Sequence, residues 1–74
     1  DDHQGIELTS TLTFREREIL SYLATGATNS QIAHALVISE GTVKSHVKAV
    51  LKKLHVPTRA AAAALYSNEA RRQR

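Results

Sequence analysis

The chain is predicted to fold as an all-α four-helix bundle, and three observations carry that prediction. Apolar residues recur at three- and four-residue intervals, as on one face of an amphipathic helix, most clearly at Val43, Val47, Val50, Leu51 and Leu54. Helix-capping residues stand ahead of such segments at Thr13, Thr28, Ser39 and Thr58, with stop signals between them at Gly26 and Pro57. The 74 residues include no cysteine, so no disulfide framework holds the fold and the core must come from aliphatics and alanine packed between helices. A domain of this length buries only roughly 60% of the surface its unfolded chain exposes, so that core is modest.

Each element follows from local chemistry. Residues 1–11, DDHQGIELTST, are polar without a sustained period and read as a linker or flexible arm. Thr13 with Glu16 three residues on forms a capping box that starts the first helix. Its apolar stripe runs through Ile19, Leu20, Leu23 and Ala24, and Gly26, able to adopt a left-handed conformation, ends it. Thr28 and Gln31 repeat the box. The segment that follows, NSQIAHAL, is too short to stand alone and must be held by packing through Ile32, Ala33 and Leu36, giving a second helix at about 28–36. Val37 and Ile38 carry two apolar residues through a tight connection. Ser39 then caps a longer helix at about 40–55, which ends near His55 because Val56 precedes Pro57 and is pushed out of helical geometry. Thr58 caps a fourth helix at about 59–67, strong in helix propensity through its five alanines. Residues 68–74 are a tail or an extension of it. A short helix, a tight turn and a longer basic helix describe a helix-turn-helix, placing one domain at 12–67.

Net charge is +3, but its distribution is uneven. Residues 1–40 hold Arg15 and Arg17 against six acids, a net of −4, whereas residues 41–74 hold eight Lys or Arg against Glu69 alone, a net of +7. Such asymmetry points to nucleic acid or another anionic surface as partner, a solvated charged face being the plain alternative. Along the third helix, Lys44, Lys48 and Lys52 step by four residues beside the apolar stripe, with Gly41, Ser45 and His55 near them. One side of that helix is therefore basic with few bulky side chains, which suits a groove lined with phosphates.

Other classes find little support. No apolar run approaches the 18 or so residues needed to span a bilayer and no signal segment opens the chain, so a soluble protein without membrane contact is expected. The lack of cysteine fits a reducing cytoplasm. The chain contains no methionine, so Asp1 reads as the first residue of an excised domain or a processed product. No two of His3, His34, His46 and His55 share a helix at metal-ligand spacing, and no nucleophile with base and orienting group, nor any phosphate-cradling glycine loop, stands out. No metal, no cofactor and no enzymatic activity are expected.

With these segments in place the chain resembles the LuxR/NarL/FixJ-type helix-turn-helix domain, the DNA-binding output module of bacterial transcription regulators such as response regulators. The resemblance covers residues 12–66 and rests on LTFREREIL at 12–20, TNSQIAHAL at 28–36, ISEGTVKSHVKAVLKKL at 38–54 and the arginine of PTRAAAA at 57–63. Where the family usually has glycine after the KL of the third helix, this chain has His55. The resemblance implies that the third helix is a recognition helix entering the major groove of double-stranded DNA, that Lys44, Ser45 and Lys48 reach base edges, and that the fourth helix is a dimerisation helix pairing two copies. It also implies a sensory or receiver domain N-terminal to this chain, with RNA polymerase a further candidate partner.

The residues themselves agree on the groove: a helix with a free basic face fits a channel about 12 Å wide, and lysine donates to guanine acceptors. Lysine discriminates less than a bidentate arginine, which leaves part of any specificity to water, DNA shape and dimer spacing. Lys52, one turn beyond Lys48, is placed to meet phosphate. Asn29 and Ser30, at the positive end of the second helix, are phosphate candidates against a plain capping role; Thr42 and Arg59 are similar, with Arg59 alternatively paired to Glu16. Glu16 and Lys53 read as structural, because losing one partner of a partly buried ion pair is costly. His46 lies well round from the lysines and is expected to pack. The small surface of Ala60, Ala61, Ala63 and Ala64 permits the close helix approach of a symmetric dimer. Two rival readings remain at this point: a sigma-factor-like promoter-reading domain working within RNA polymerase, and a protein-only interaction module whose lysines meet an acidic partner.

Overall fold

The computed structural model describes residues 11–72. Residues 1–10 of the arm expected at 1–11, with His3, and the last residues of the tail, 73–74, lie outside the described residues. The described part is four helices with no strand: α1 Phe14–Ala24, α2 Asn29–Leu36, α3 Glu40–Leu54 and α4 Arg59–Arg72. The expected all-α architecture and the short-helix, turn, long-helix unit are both present.

The starts of all four helices follow from the caps. Thr13 Oγ1 accepts the Glu16 N–H at 3.1 Å while Glu16 Oε1 accepts the Thr13 N–H at 2.9 Å, and Thr28 and Gln31 exchange the same pair of bonds at the head of α2. Each box satisfies two of the donors that a helix start leaves without a partner. Ser39 Oγ accepts the Thr42 N–H at 3.0 Å, and Thr58 Oγ1 accepts that of Ala61 at 3.1 Å.

The ends of α1, α2 and α3 share one geometry, which the sequence signalled only at the first. Gly26, Val37 and His55 are left-handed, with φ of 83°, 58° and 58°. In each case the next residue donates back five positions, Ala27 to Tyr22 at 3.2 Å, Ile38 to Ala33 at 3.0 Å and Val56 to Leu51 at 3.1 Å, while the left-handed residue donates back three. This is the Schellman closure, whose second residue returns to the apolar surface. Ala27, Ile38 and Val56 all pack against the core. The end of α3 thus has a cause besides the proline: His55 takes the turn that brings Val56 home.

Val37 is a β-branched residue in a conformation that costs an L-residue about 1–2 kcal/mol, and it is 88% exposed, so no packing offsets that cost. Val37→Gly is therefore expected to stabilise the domain by about 0.5–1 kcal/mol after allowing for the greater freedom of glycine in the unfolded chain. Thermal melting reads this as a midpoint several degrees higher; an equal or lower midpoint would contradict it.

Leu12, Ile19, Leu20, Leu23, Ile32, Ala33, Val43, Val47, Val50, Leu54 and Ala62 form one buried cluster. Burying each of its larger members contributes about 1.5–3 kcal/mol. α3 sits centrally, packing against α1, α2 and α4, while α1 also packs against α4. The stripe of α3 is the anchor: Val43, Val47, Val50 and Leu54 are buried and Leu51 is half-buried.

Of the two readings of residues 68–74, tail or extension of the fourth helix, the extension holds as far as Arg72, so the polar segment SNEARR continues α4 beyond residue 67. Its inner face holds Ala62, Leu65, Tyr66 and Glu69, at helical spacing, with Glu69 buried. The face that docks α4 thus extends one turn past its last apolar residue.

Candidate nucleic-acid interface

α3 divides its residues between two tasks. With its valine stripe buried, Gly41, Thr42, Lys44, Ser45, Lys48 and Lys52 are all exposed. A Cβ built on Gly41 meets nothing nearer than Ser39 Oγ at 3.8 Å, so no contact within the domain requires glycine there, and the lysine side of α3 opens on bare backbone. His46 is half-buried. Thr42, a candidate phosphate contact, shares its hydroxyl with Ser39 Oγ at 2.9 Å, which ties it to the cap.

Lys53, although next to Lys52 in sequence, is withdrawn from this face. Its Nζ lies 2.8 Å from Glu16 Oε1, the same oxygen that accepts the Thr13 N–H, so one carboxylate fastens α3 to the first turn of α1. The Lys53 hydrogen bond holds the Glu16 carboxyl below its ordinary range; burial opposes this, and the Thr13 backbone bond, the lysine charge and the Thr13 hydroxyl reinforce it. Lys44, Lys48 and Lys52 are left as the exposed basic row.

The beginning of α2 is built differently from the sequence expectation. Arg59 does not pair with Glu16, whose oxygen is taken by Lys53. Instead Nη1 of Arg59 donates to Asn29 Oδ1 at 2.8 Å and Nη2 donates to the Ala27 carbonyl at 2.9 Å. The structure thus brings two candidate phosphate residues, Asn29 and Arg59, into direct contact with each other. Ser30 is exposed beside them. Thr28 caps the Gln31 N–H and its carbonyl accepts from Ile32, so the N–H groups of Asn29 and Ser30 are the first-turn donors with no acceptor in the helix. This tie joins residues thirty positions apart and has no periodic signature. The one hint in the sequence was an asparagine just after a threonine cap, where its side chain is not needed for capping.

On α4, Ala60 and Ala64 are exposed, Ala61 and Ala63 are half-buried, and Ala62 is buried in the core. A small-residue face is therefore partly open on the outer side of this helix. The described residues contain no group of three or more His, Asp or Glu placed to hold a metal, and no helix long and apolar enough to cross a membrane.

The profile of the family described as bacterial regulatory proteins, luxR family, matches residues 10–66. The chain is 51% identical over 57 residues to the nitrate/nitrite response regulator protein NarP of Escherichia coli, covering 77% of this chain and 26% of that protein. It is 48% identical over 60 residues to a nitrate/nitrite response regulator protein homolog of Haemophilus influenzae, covering 81% of this chain and 29% of the relative. Identity to the CsgBAC operon transcriptional regulatory protein of Escherichia coli is 46% over 61 residues, covering 82% and 28%. The chain spans less than a third of the length of these curated relatives.

Proposed function

Because the chain belongs to the luxR family of bacterial regulatory proteins, which are DNA-binding transcription regulators, we propose that it binds double-stranded DNA sequence-specifically with α3 in the major groove. The observation that carries this reading is the division of α3 into a buried valine side and an exposed side bearing Lys44, Ser45 and Lys48. Those three residues are proposed to read base edges. Lys52 and Thr42 on α3, and Asn29 and Ser30 at the positive end of α2, meet phosphates and fix the register.

Two copies pair through the outer side of α4, at Ala60, Ala61, Ala63 and Ala64, when bound to two half-sites. The outer side of α4 supports this, since Ala60 and Ala64 are exposed and Ala61 and Ala63 half-buried, small side chains that let two helices approach closely. The named relatives are much longer response regulators and operon regulators, and the chain is proposed to work as the DNA-binding output part of such a regulator, under an N-terminal sensory or receiver domain. RNA polymerase is a further proposed partner, and the cytoplasm the proposed location.

Fluorescence anisotropy against a randomised duplex library at two salt concentrations tests the reading. Enrichment of a sequence is expected, with affinity falling steeply as salt rises because phosphate contacts release counterions. Footprinting of the enriched site is expected to show two protected contacts about a helical turn apart. A library that yields no enriched sequence would remove sequence-specific binding, and a single asymmetric footprint would remove the dimer.

A further inference from the structure

We infer, resting on the DNA-binding reading above, that Arg59 is a positioning residue of the interface: it acts on phosphate through Asn29 and does not itself contact DNA. The sequence made Arg59, like Thr42, a candidate phosphate contact, with pairing to Glu16 as the alternative. Its geometry says otherwise. Each terminal nitrogen of the guanidinium places one N–H inside the domain, on Asn29 Oδ1 and on the Ala27 carbonyl in the α1–α2 connection, and both bonds are partly buried. Guanidinium donors sit in a rigid planar fork, so this pair of acceptors fixes the group as a unit.

The consequence falls on Asn29. Its side chain has one acceptor end and one donor end. With Oδ1 held by Arg59, a flipped amide would set N–H against N–H, so the amide nitrogen is the end left to donate outward from the first turn of α2. A first-turn asparagine is thereby held in its donor orientation, the one that matches a phosphate oxygen. An Arg59 that swung out to the DNA would release Asn29 to rotate and leave the Ala27 carbonyl without its donor. Arg59 is also the first residue of α4, immediately before Ala60. The helix proposed to pair two copies therefore shares a side-chain link with the end of the helix proposed to grip the backbone.

Duplex binding across a salt series separates the two roles. Wild type, Arg59→Ala, Arg59→Lys, Asn29→Ala and the double variants that combine each Arg59 change with Asn29→Ala are compared, with a thermal melt of each confirming the fold. Arg59→Ala is expected to lower affinity on the order of tenfold, about the worth of one hydrogen bond to a charged group, with the log–log salt slope unchanged. The same change in the Asn29→Ala background is expected to cost nothing further. A direct phosphate contact would instead flatten the slope by about 0.9 in both backgrounds, and that result overturns the inference. Arg59→Lys keeps the charge but not the fork, so it is expected to lose affinity in the wild-type background and not in Asn29→Ala; it carries the comparison if Arg59→Ala does not fold. Wild-type affinity in Arg59→Ala, while Lys44→Ala and Lys48→Ala weaken binding, overturns the positioning role and leaves the DNA reading standing. Failure of the wild type to bind any duplex removes both.

Discussion

Replacing Lys44 and Lys48 together by alanine is expected to lower affinity for an enriched duplex on the order of a thousandfold, since each base contact contributes about 1–3 kcal/mol of discrimination. Both side chains are exposed on the face of α3 opposite the core, so the melting temperature should stay within a degree or two of wild type. Binding to a scrambled duplex should fall much less. That contrast is the informative part, because it assigns the lysines to bases and not merely to the backbone. Equal losses on both duplexes would reduce Lys44 and Lys48 to phosphate contacts and leave Ser45 alone among the proposed base-reading residues. Lys52→Ala serves as the internal standard: a uniform loss on every sequence, with the salt slope shallower by about 0.9.

The second large effect concerns stability and comes from the lysine that does not join that row. Lys53→Met keeps the aliphatic stem but strands Glu16, whose side chain is only 9% exposed. Breaking a buried pair costs about 3–5 kcal/mol, but the Lys53 side chain is 39% exposed, so water screens part of the attraction and a loss of about 2 kcal/mol is expected. For a domain of this size that is on the order of 10 °C in melting temperature. Glu16→Gln should cost less, about 1 kcal/mol, because glutamine still closes the capping box on Thr13 and the released lysine can hydrate. Combining the two changes should cost less than their sum, as residues in contact do not act independently.

The pair also sets a pH dependence. The Glu16 carboxyl is held below its ordinary range in the folded state, chiefly by the bond from Lys53, so its contribution is fully present above the usual glutamate value of about 4.3 and disappears as pH falls through the lower folded value. Without Lys53 the depression shrinks. The stability gap between wild type and Lys53→Met should therefore be widest near neutral pH and narrow in melts at about pH 3. A gap that does not change with pH would mean that the lysine stem, and not its charge, supplies the stability.

Legibility in the sequence followed the range of the interactions. The four caps, the valine stripe and the lysine row were readable because each is decided within one or two turns of chain. Helix ends were less so. Glycine at 26 announced a left-handed end, but Val37 and His55 adopt the same geometry because Ile38 and Val56 gain by returning to the core, and that gain is tertiary. The end of α4 stood open between a tail and an extension for a similar reason: SNEARR shows no apolar stripe, and its inward residue is a glutamate. The choice of partners for Glu16 and Arg59 was the hardest part. Both arginine and lysine were available to the carboxylate, and only the packed positions of α1, α3 and α4 decide which reaches it. For the candidate site, composition and spacing gave the row on α3, while the Arg59 link to α2 needed coordinates.

The left-handed residues at 37 and 55 lie outside the two ends of α3, exposed, and the one bond to the lysine row, from the His55 N–H to the Lys52 carbonyl, is a backbone bond that glycine keeps. They are places where this domain holds stability in reserve. Glycine at either position relieves a backbone penalty of about 1 kcal/mol while leaving the core and the exposed row as they are. Retargeting α3 to a new sequence exchanges residues 44, 45 and 48, and a replacement there with lower helix propensity lowers stability. The turns that flank the helix offer a way to recover it, so the reading surface and the means to keep it folded can be varied separately.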